Sequence, residues 1–168
     1  LMLGFVWRER RAKAPLLALG LFASRAFTGG IVAVVLCYAM LYGLFFGMSF
    51  ALVRGFGEAP LQAGLRLAAV PVALGLVAPF SGALAERAPR LTRLAGMILC
   101  GGAALALYRA LPGGQSALPV VMAALAAYGA GLGLFIAPNN HATLAAAPPE
   151  RSGQAGGMLN LMRAFGTA

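Results

Sequence analysis

The central part of the sequence consists of four long apolar runs joined by short connectors. The runs cover residues 27–53, 61–84, 94–111 and 118–146, and the first of them contains no charged residue. A helix needs about 20 apolar residues to cross the hydrocarbon core of a bilayer, and only helices and closed barrels can cross it. The four runs therefore predict an all-α membrane protein, a polytopic helical bundle in which short connectors make neighbouring helices antiparallel.

The composition excludes a soluble domain and a disordered chain. Hydrophobic residues make up 61% of the 168 residues and charged residues 10%, whereas soluble domains carry about 25% charged residues and disordered chains are poor in apolar ones. The net charge of +9 would suit a polyanion, but the basic residues lie in connectors and form no solvated face with interleaved aromatics. We therefore predict that the chain interacts with a lipid bilayer and does not bind nucleic acid.

The basic residues also predict the orientation of the helices. Because the connectors alternate between the two sides of the membrane, one side receives nine Lys or Arg residues and the other receives three. The nine are Arg8, Arg10, Arg11, Lys13, Arg25, Arg87, Arg90, Arg93 and Arg151, and the three are Arg54, Arg66 and Arg109. By the positive-inside rule, the side with nine is cytoplasmic.

The two ends of the sequence predict that the chain is part of a longer membrane protein. Residues 1–7 are typical of the tail of a truncated helix, and residues 153–168 of the start of another. Between the first of these and the first span, residues 8–26 are a predicted cytoplasmic connector, whose apolar part, 15–24, is too short to span and is expected along the membrane interface.

The residues that support catalysis or metal binding are few and scattered. The four acidic residues are all Glu and lie in connectors, at Glu9, Glu58, Glu86 and Glu150. No nucleophile, base and orienting group can be assembled from the sequence, and Cys37 and Cys100 lie in separate apolar runs without metal-ligand spacing. We predict no enzyme, no cofactor and no metal site. A carboxylate that couples transport to protons would have to lie outside these spans.

Glycines in the fourth run predict close helix packing. Gly129, Gly131 and Gly133 make a stretch with few side chains, and small residues let helix backbones approach closely in lipid. A dinucleotide-binding loop is the alternative, but the G-x-G-x-x-G spacing, the preceding strand and the following acidic residue are missing.

Residues 82–93, which comprise the end of the second run and the predicted connector at 85–93, resemble the cytoplasmic loop signature of the major facilitator superfamily, Gly-x-Leu-x-Asp-Arg-x-Gly-Arg-Arg. Glu86 replaces the Asp, and Pro89 stands where Gly is usual; the matching positions are Gly82, Leu84, Arg87 and Arg90. The resemblance implies a cytoplasmic gate loop in which Gly82 permits close helix contact while Glu86, Arg87 and Arg90 form a charged latch. The alternative is a charged connector that only fixes orientation.

A second resemblance is to the carboxyl-terminal half of the drug:proton antiporter branch with fourteen helices. Residues 131–138 form a glycine-rich segment, followed by an Ala-Pro-Pro-Glu-Arg connector at 147–151 and an Asn-x-x-Arg-x-x-Gly pattern at Asn160, Arg163 and Gly166. Residues 9–27 resemble that branch's connector into its last six helices, and residues 59–64, Ala-Pro-Leu-Gln-Ala-Gly, also match. The motifs occur in the same order over nearly the whole chain.

Polar residues within the last two helices are candidates for the transport pathway or inner gate. Asn139, Asn140 and His141 follow Pro138 directly, whereas Asn160 and Arg163 are three apart and share a helix face. Polar side chains at such depth face a bundle interior or a water-filled cavity. The alternatives are that they reach the cytoplasmic interface or join neighbouring helices by hydrogen bonds.

The resemblance implies part of a secondary active transporter, a proton-coupled multidrug efflux permease that works by alternating access in the bacterial inner membrane. Its further partners would be a small lipophilic substrate and the missing amino-terminal half of the same transporter. Two alternatives remain open: a transporter of the same fold for a metabolite such as a sugar or organic anion, and a non-transporting membrane scaffold subunit.

Overall fold

A computed structural model describes residues 19–168 of the chain. The predicted truncated helix 1–7 and residues 8–18 of the predicted connector lie outside the described residues. The described α-helices are α1 (Arg25–Phe50), α2 (Pro60–Leu67), α3 (Ala69–Arg87), α4 (Pro89–Ala110), α5 (Leu118–Ala145) and α6 (Ser152–Thr167). Short segments of 3-10 helix occupy Leu19–Ala23, Leu111–Ala117 and Pro149–Arg151, and a π-helical turn, Ala51–Gly55, extends α1. The described part of the chain contains no strand, as the sequence predicts.

Within residues 19–168, three helical stretches are long and apolar enough to cross a membrane. They are Arg25–Gly55, Pro60–Arg87 and Pro89–Ala145. The third has 57 residues, which at 1.5 Å per residue would extend for about 85 Å and far exceed a ~30 Å hydrocarbon core. Gly114 interrupts it with φ 57° and ψ −143°, a left-handed conformation that glycine adopts without steric cost. The third stretch therefore consists of two helices, α4 and α5, joined by a turn.

Prolines explain the two places where the helices depart from the predicted runs. The second run is divided into α2 and α3 at Ala68, because Pro71 has no N–H to donate to the carbonyl of Leu67. The connector predicted at 85–93 is almost wholly helical, and α3 passes into α4 at a single residue, Ala88, with φ −147° and ψ 68°. The residue before a proline disfavours the helical region, and Pro89 occupies the first position of α4.

The chain divides into two compact units. The central unit is Ala39–Asn139, and its helices pack through the glycines of α5. A Cβ at Gly129 would collide with the backbone carbonyl of Val70 in α3, and a Cβ at Gly131 would lie 2.8 Å from the carbonyl oxygen of Gly96 in α4. The Cys100 Sγ of α4 also donates to the Tyr128 carbonyl, at 3.5 Å. The predicted close packing at these glycines is confirmed.

The terminal unit combines Leu1–Tyr38 with Asn140–Ala168, of which the structure describes residues 19–38 and 140–168. Its apolar core joins the first half of α1 to α6, and its buried members are Leu21, Phe27, Ile31, Val34, Ala155, Met158 and Leu159. Gly166 of α6 lies against α1, where an added Cβ would be 2.6 Å from the Val35 carbonyl oxygen. At Gly30 of α1, an added Cβ would collide with the side chain of Thr143 from α5.

Large apolar side chains cover much of the surface of the central unit. Phe46, Phe80 and Ile98 expose 70%, 73% and 73% of their area. A bilayer can solvate such a surface, whereas soluble monomers rarely expose large contiguous apolar patches. The helices of this unit therefore have the exterior of a membrane protein.

Candidate functional site

The charged joint between α3 and α4 contains the four predicted gate residues. Gly82, Glu86 and Arg87 lie in the last two turns of α3, and Arg90 lies in the first turn of α4. All four are exposed. A Cβ at Gly82 would meet no atom within 4 Å. In the described part of the chain, the close helix contact implied for Gly82 is therefore absent.

The polar groups of this joint bond locally and do not close a latch within residues 19–168. Thr92 Oγ1 donates to the Ala88 carbonyl at 3.0 Å, and Arg93 Nε donates to the Pro89 carbonyl at 3.2 Å. The Thr92 bond ties the first turn of α4 to Ala88, the residue that breaks the helix, and the Arg93 bond stays within α4. The side chains of Glu86, Arg87 and Arg90 are exposed at this joint, where they can interact with groups beyond the described residues.

The polar triplet after Pro138 lies inside α5, and its three side chains differ in burial. Asn139 is buried, with 4% of its area exposed; it is the last residue of the central unit. Asn140 begins the second segment of the terminal unit; it is half-buried, and its Oδ1 has no hydrogen-bond partner among the described residues. His141 is exposed. The structure thus separates the triplet into a buried Asn139, an unsatisfied Asn140 and an accessible His141.

The two candidate residues on α6, Asn160 and Arg163, also differ in burial. Asn160 is exposed, whereas Arg163 is half-buried and lies with its guanidinium carbon 5.2 Å from the centroid of the Tyr38 ring in α1. A cation over an aromatic face is stabilised by the ring quadrupole. The Arg163 Nε is buried, and it finds no hydrogen-bond acceptor within residues 19–168. The Arg163 guanidinium therefore packs on an aromatic ring, and no counter-ion for it is present within residues 19–168.

An ion pair that was not predicted joins Glu58, just before α2, to Arg66 in the last turn of α2. Arg66 Nε donates to Glu58 Oε2 at 2.6 Å, and the side chains are 31% and 5% exposed. Gly57, with φ 71°, makes the turn that brings the Glu58 carboxylate back over α2. The sequence shows an acidic residue just before α2 and a basic residue in the last turn of α2. The pairing of the two depends on the chain reversal at Gly57.

A second unpredicted contact joins the connector between α1 and α2 to the connector between α4 and α5. Gln115 Nε2 donates to the Phe56 carbonyl at 2.9 Å. An open apolar cavity of about 300 Å³ lies beside these connectors, between the second half of α1 and the end of α4. Its walls are Leu44, Gly47, Met48, Ala104, Leu107, Tyr108 and Leu111. Such a surface suits an apolar molecule or lipid chain.

Comparison with known proteins gives a family match over nearly the whole chain and several transporter relatives. The family model described as Major Facilitator Superfamily matches residues 3–168. The riboflavin transporter RibZ of Clostridioides difficile (strain 630) is 32% identical over 168 residues, covering 96% of this chain and 36% of RibZ. The uncharacterized transporter YebQ of Escherichia coli (strain K12) is 33% identical over 166 residues, covering 96% of this chain and 35% of YebQ. The drug efflux pump JefA of Mycobacterium tuberculosis (strain ATCC 25618 / H37Rv) is 32% identical over 170 residues, covering 96% of this chain and 32% of JefA.

The helices and the apolar exterior define a multi-pass membrane protein, and the family match identifies the family to which it belongs. The chain belongs to the Major Facilitator Superfamily. It spans about a third of the length of the curated relatives it matches. The predicted family and the predicted all-α membrane fold are confirmed.

Proposed function

We propose that the chain is part of the carboxyl-terminal half of a proton-coupled efflux permease for small lipophilic compounds, which works by alternating access in the bacterial inner membrane. The observation that carries this proposal is the family match over residues 3–168, together with a relative of 32% identity that is named a drug efflux pump. In this proposal the chain supplies one wall of the pathway. The missing amino-terminal half supplies the opposing wall, and the substrate binds between the two halves.

The distribution of carboxylates bears on proton coupling. Among the described residues the acidic side chains are Glu58, Glu86 and Glu150, and each lies at a helix end or between helices. A carboxylate that takes up a proton within the membrane must be held in a dry or water-lined interior. The proposal therefore assigns the coupling carboxylate to the rest of the transporter, and it assigns conformational gating to this chain.

The apolar surface of the central unit supports a lipophilic substrate. The 300 Å³ cavity is lined almost wholly by apolar side chains, and Met48 is one of them. Methionine adapts its shape to different apolar ligands. A pathway built from such walls accepts molecules by hydrophobic contact, with few polar groups to select among them.

A metabolite transporter is the second candidate, because RibZ is named a riboflavin transporter and is 32% identical. Accumulation assays on the full-length protein separate the two candidates. In a host that lacks its main exporters, we expect the protein to lower the accumulation of ethidium and of lipophilic antibiotics, and we expect a protonophore to abolish this effect. Proton-dependent movement of riboflavin, with unchanged ethidium accumulation, would favour the metabolite transporter.

Removing the gate charges is expected to slow transport without unfolding the protein. Arg87→Gln and Arg90→Gln alter exposed side chains, and exposed substitutions usually change stability by no more than about 0.5 kcal/mol. If the joint acts as a latch, each variant lowers the initial rate of ethidium efflux about tenfold, at equal amounts of protein in the membrane.

The control for the gate variants is Arg109→Gln, which removes an exposed arginine from the opposite end of α4. We expect this variant to transport at the wild-type rate. If the joint only fixes orientation, Arg87→Gln will keep the wild-type efflux rate per correctly oriented molecule and instead yield a fraction of inverted molecules, detectable by labelling of single introduced cysteines. That result would contradict the gating role.

A further inference from the structure

The first turn of α1 lies at the level of the lipid headgroups. α1 and its π-helical turn form one stretch of 31 residues, Arg25–Gly55, that is apolar enough to cross a membrane. At 1.5 Å per residue this stretch is about 46 Å long, which matches the ~40–45 Å thickness of a bilayer with its headgroup regions. Arg25 is the first residue of the stretch, and its side chain is exposed. The Arg25 guanidinium is therefore within reach of lipid phosphates.

A second arginine, Arg151, lies beside the same end of α1. Its Nη1 atom would be 3.3 Å from a Cβ added at Gly20, in the 3-10 segment that precedes α1. Further along, a Cβ added at Gly166 of α6 would lie 2.6 Å from the Val35 carbonyl oxygen of α1. Both segments advance by the same number of residues between these two contacts, so α1 and α6 run parallel. Two separate parts of the chain thus bring Arg25 and Arg151 to one end of the terminal unit.

An exposed aromatic ring lies next to these arginines. Leu21 anchors the 3-10 segment in the core of the terminal unit, whereas Phe22 leaves 36% of its area exposed. The Phe22 ring packs edge-on against Phe27, with centroids 5.9 Å apart, and Thr28 Oγ1 donates to the Phe22 carbonyl at 3.0 Å. Phe22 is therefore held three residues before Arg25. Aromatic and basic side chains side by side are typical of segments that lie in the membrane interface.

The positive charge at this end is not neutralised within residues 19–168. Neither Arg25 nor Arg151 forms an ion pair there, and Glu150, which is exposed, is the single described carboxylate of the terminal unit. No side chain caps α6, so the partial positive charge of its first turn adds to that of the arginines. Residues 8–13, outside the described part, add four basic residues and one acidic residue in sequence. The net charge favours an anionic partner.

We propose that a headgroup site, formed by Gly20, Phe22, Arg25 and Arg151, binds an anionic phospholipid such as phosphatidylglycerol. The two arginines contact the phosphate, and the Phe22 ring contacts the adjoining acyl chains. A lipid fits this site because the bilayer places phosphates at this level around a spanning helix, and basic clusters beside such helices attract anionic lipids. Phosphatidylcholine fits less well, because its cationic choline group offsets the attraction of its phosphate to the arginines. The proposal is independent of the transported compound.

Fluorescence quenching at Ala23, which is exposed, measures which lipid lies beside the headgroup site. A fluorophore is attached through Ala23→Cys in the full-length transporter, whose native cysteines are replaced by alanine. The protein is placed in phosphatidylcholine nanodiscs that contain a small fraction of spin-labelled phosphatidylglycerol or spin-labelled phosphatidylcholine. We expect phosphatidylglycerol to occupy the site about twentyfold more readily, since each arginine near the membrane surface contributes about fivefold. Equal occupancy by the two lipids overturns the proposal. The two leaflets are identical, so the orientation of the protein does not affect the result.

Substitutions then assign the lipid preference to the two arginines. Arg25→Gln and Arg151→Gln should each lower the preference for phosphatidylglycerol about fivefold, and the double variant should abolish it. Glu150→Gln removes a repelling charge and should raise the preference. The matched control, Arg109→Gln, removes an exposed arginine at the end of α4 and should leave the preference unchanged. If Arg109→Gln lowers it as much as Arg25→Gln does, the lipid responds to total charge and the proposal is wrong.

Two further measurements make the test independent of the label and of the kind of anion. Thermal unfolding of the unlabelled full-length protein in detergent should show a higher melting temperature with phosphatidylglycerol than with phosphatidylcholine, and the double variant should lose this difference. The absence of any difference in the wild-type protein contradicts the proposal. Millimolar inorganic phosphate at constant ionic strength should leave quenching by phosphatidylglycerol unchanged. Displacement of the lipid by phosphate would assign the site to soluble anions and overturn its assignment to a lipid.

Discussion

Gly129→Ala is expected to destabilise the protein by about 2 kcal/mol, although alanine is the better helix former. In an exposed helix the added methyl group would stabilise by about 0.5–1 kcal/mol. Here the Cβ would collide with the Val70 carbonyl of α3, and two further Val70 backbone atoms would be 2.9 Å away. Because backbone atoms cannot rotate aside, α3 and α5 must separate, and overpacking of this kind costs about 1–3 kcal/mol. Thermal unfolding of the full-length protein, followed by gel filtration after heating, measures the effect.

The control for this prediction is Gly64→Ala in α2. Gly64 also lies inside a helix, but an added Cβ meets no atom within 4 Å. We expect its melting temperature to equal or exceed that of the wild type. If Gly129→Ala melts at the wild-type temperature, then α3 and α5 are not as close as the structure has them.

Arg66→Gln is expected to lower the free energy of unfolding by about 3 kcal/mol. The Glu58 side chain is only 5% exposed, and its Oε2 lies 2.6 Å from Arg66 Nε. Removing the arginine leaves a buried carboxylate without a counter-charge, which costs about 3–5 kcal/mol. Glu58→Gln should cost less, about 1 kcal/mol, because Arg66 is 31% exposed and water can solvate it.

The double variant Glu58→Gln with Arg66→Gln makes this prediction specific to the pair. Two neutral amides can hydrogen-bond to each other, so the double variant should be more stable than Arg66→Gln alone. Equal and additive losses from the two single variants, measured by the same thermal assay, would show that the ion pair contributes nothing beyond its separate side chains.

The helices follow from the sequence because apolar run length and proline position are local signals. At the α3–α4 joint, these local signals do not predict the observed structure. Charged residues such as Glu86 and Arg87 suggested a connector from 85 to 93, but a helix can continue through charged residues once it leaves the apolar layer. Only Ala88, constrained by Pro89, departs from helical geometry.

Contacts between helices were predictable only where residue size restricts them. Gly129 and Gly131 predict close helix packing, because a glycine inside a helix is most easily explained by a neighbouring backbone that leaves no room for a side chain. Gly82, which the signature pairs with close contact, has no neighbour within 4 Å in the described structure. The pairing of Glu58 with Arg66 depends on the turn at Gly57, and the placement of Arg163 over Tyr38 depends on helix packing at Gly166. Neither has a signature in sequence spacing.

The candidate site residues remain predictions, because their roles depend on groups beyond the described residues. Asn139 is buried and Arg163 is half-buried, as pathway residues can be, whereas His141 and Asn160 are exposed. The two exposed residues can equally face lipid headgroups or the other half of a transporter. Burial alone does not separate these roles, and transport assays on variants do.

Reconstitution of the purified full-length protein tests the central claim most directly. The protein is placed in liposomes with an imposed pH gradient, and the movement of a lipophilic compound is followed by fluorescence. The account predicts uptake driven by a gradient that is acidic inside, loss of uptake when a protonophore dissipates the gradient, and slower uptake with Arg87→Gln at equal protein content. Uptake that is unaffected by the pH gradient, or no uptake of any lipophilic compound by folded protein, would contradict it.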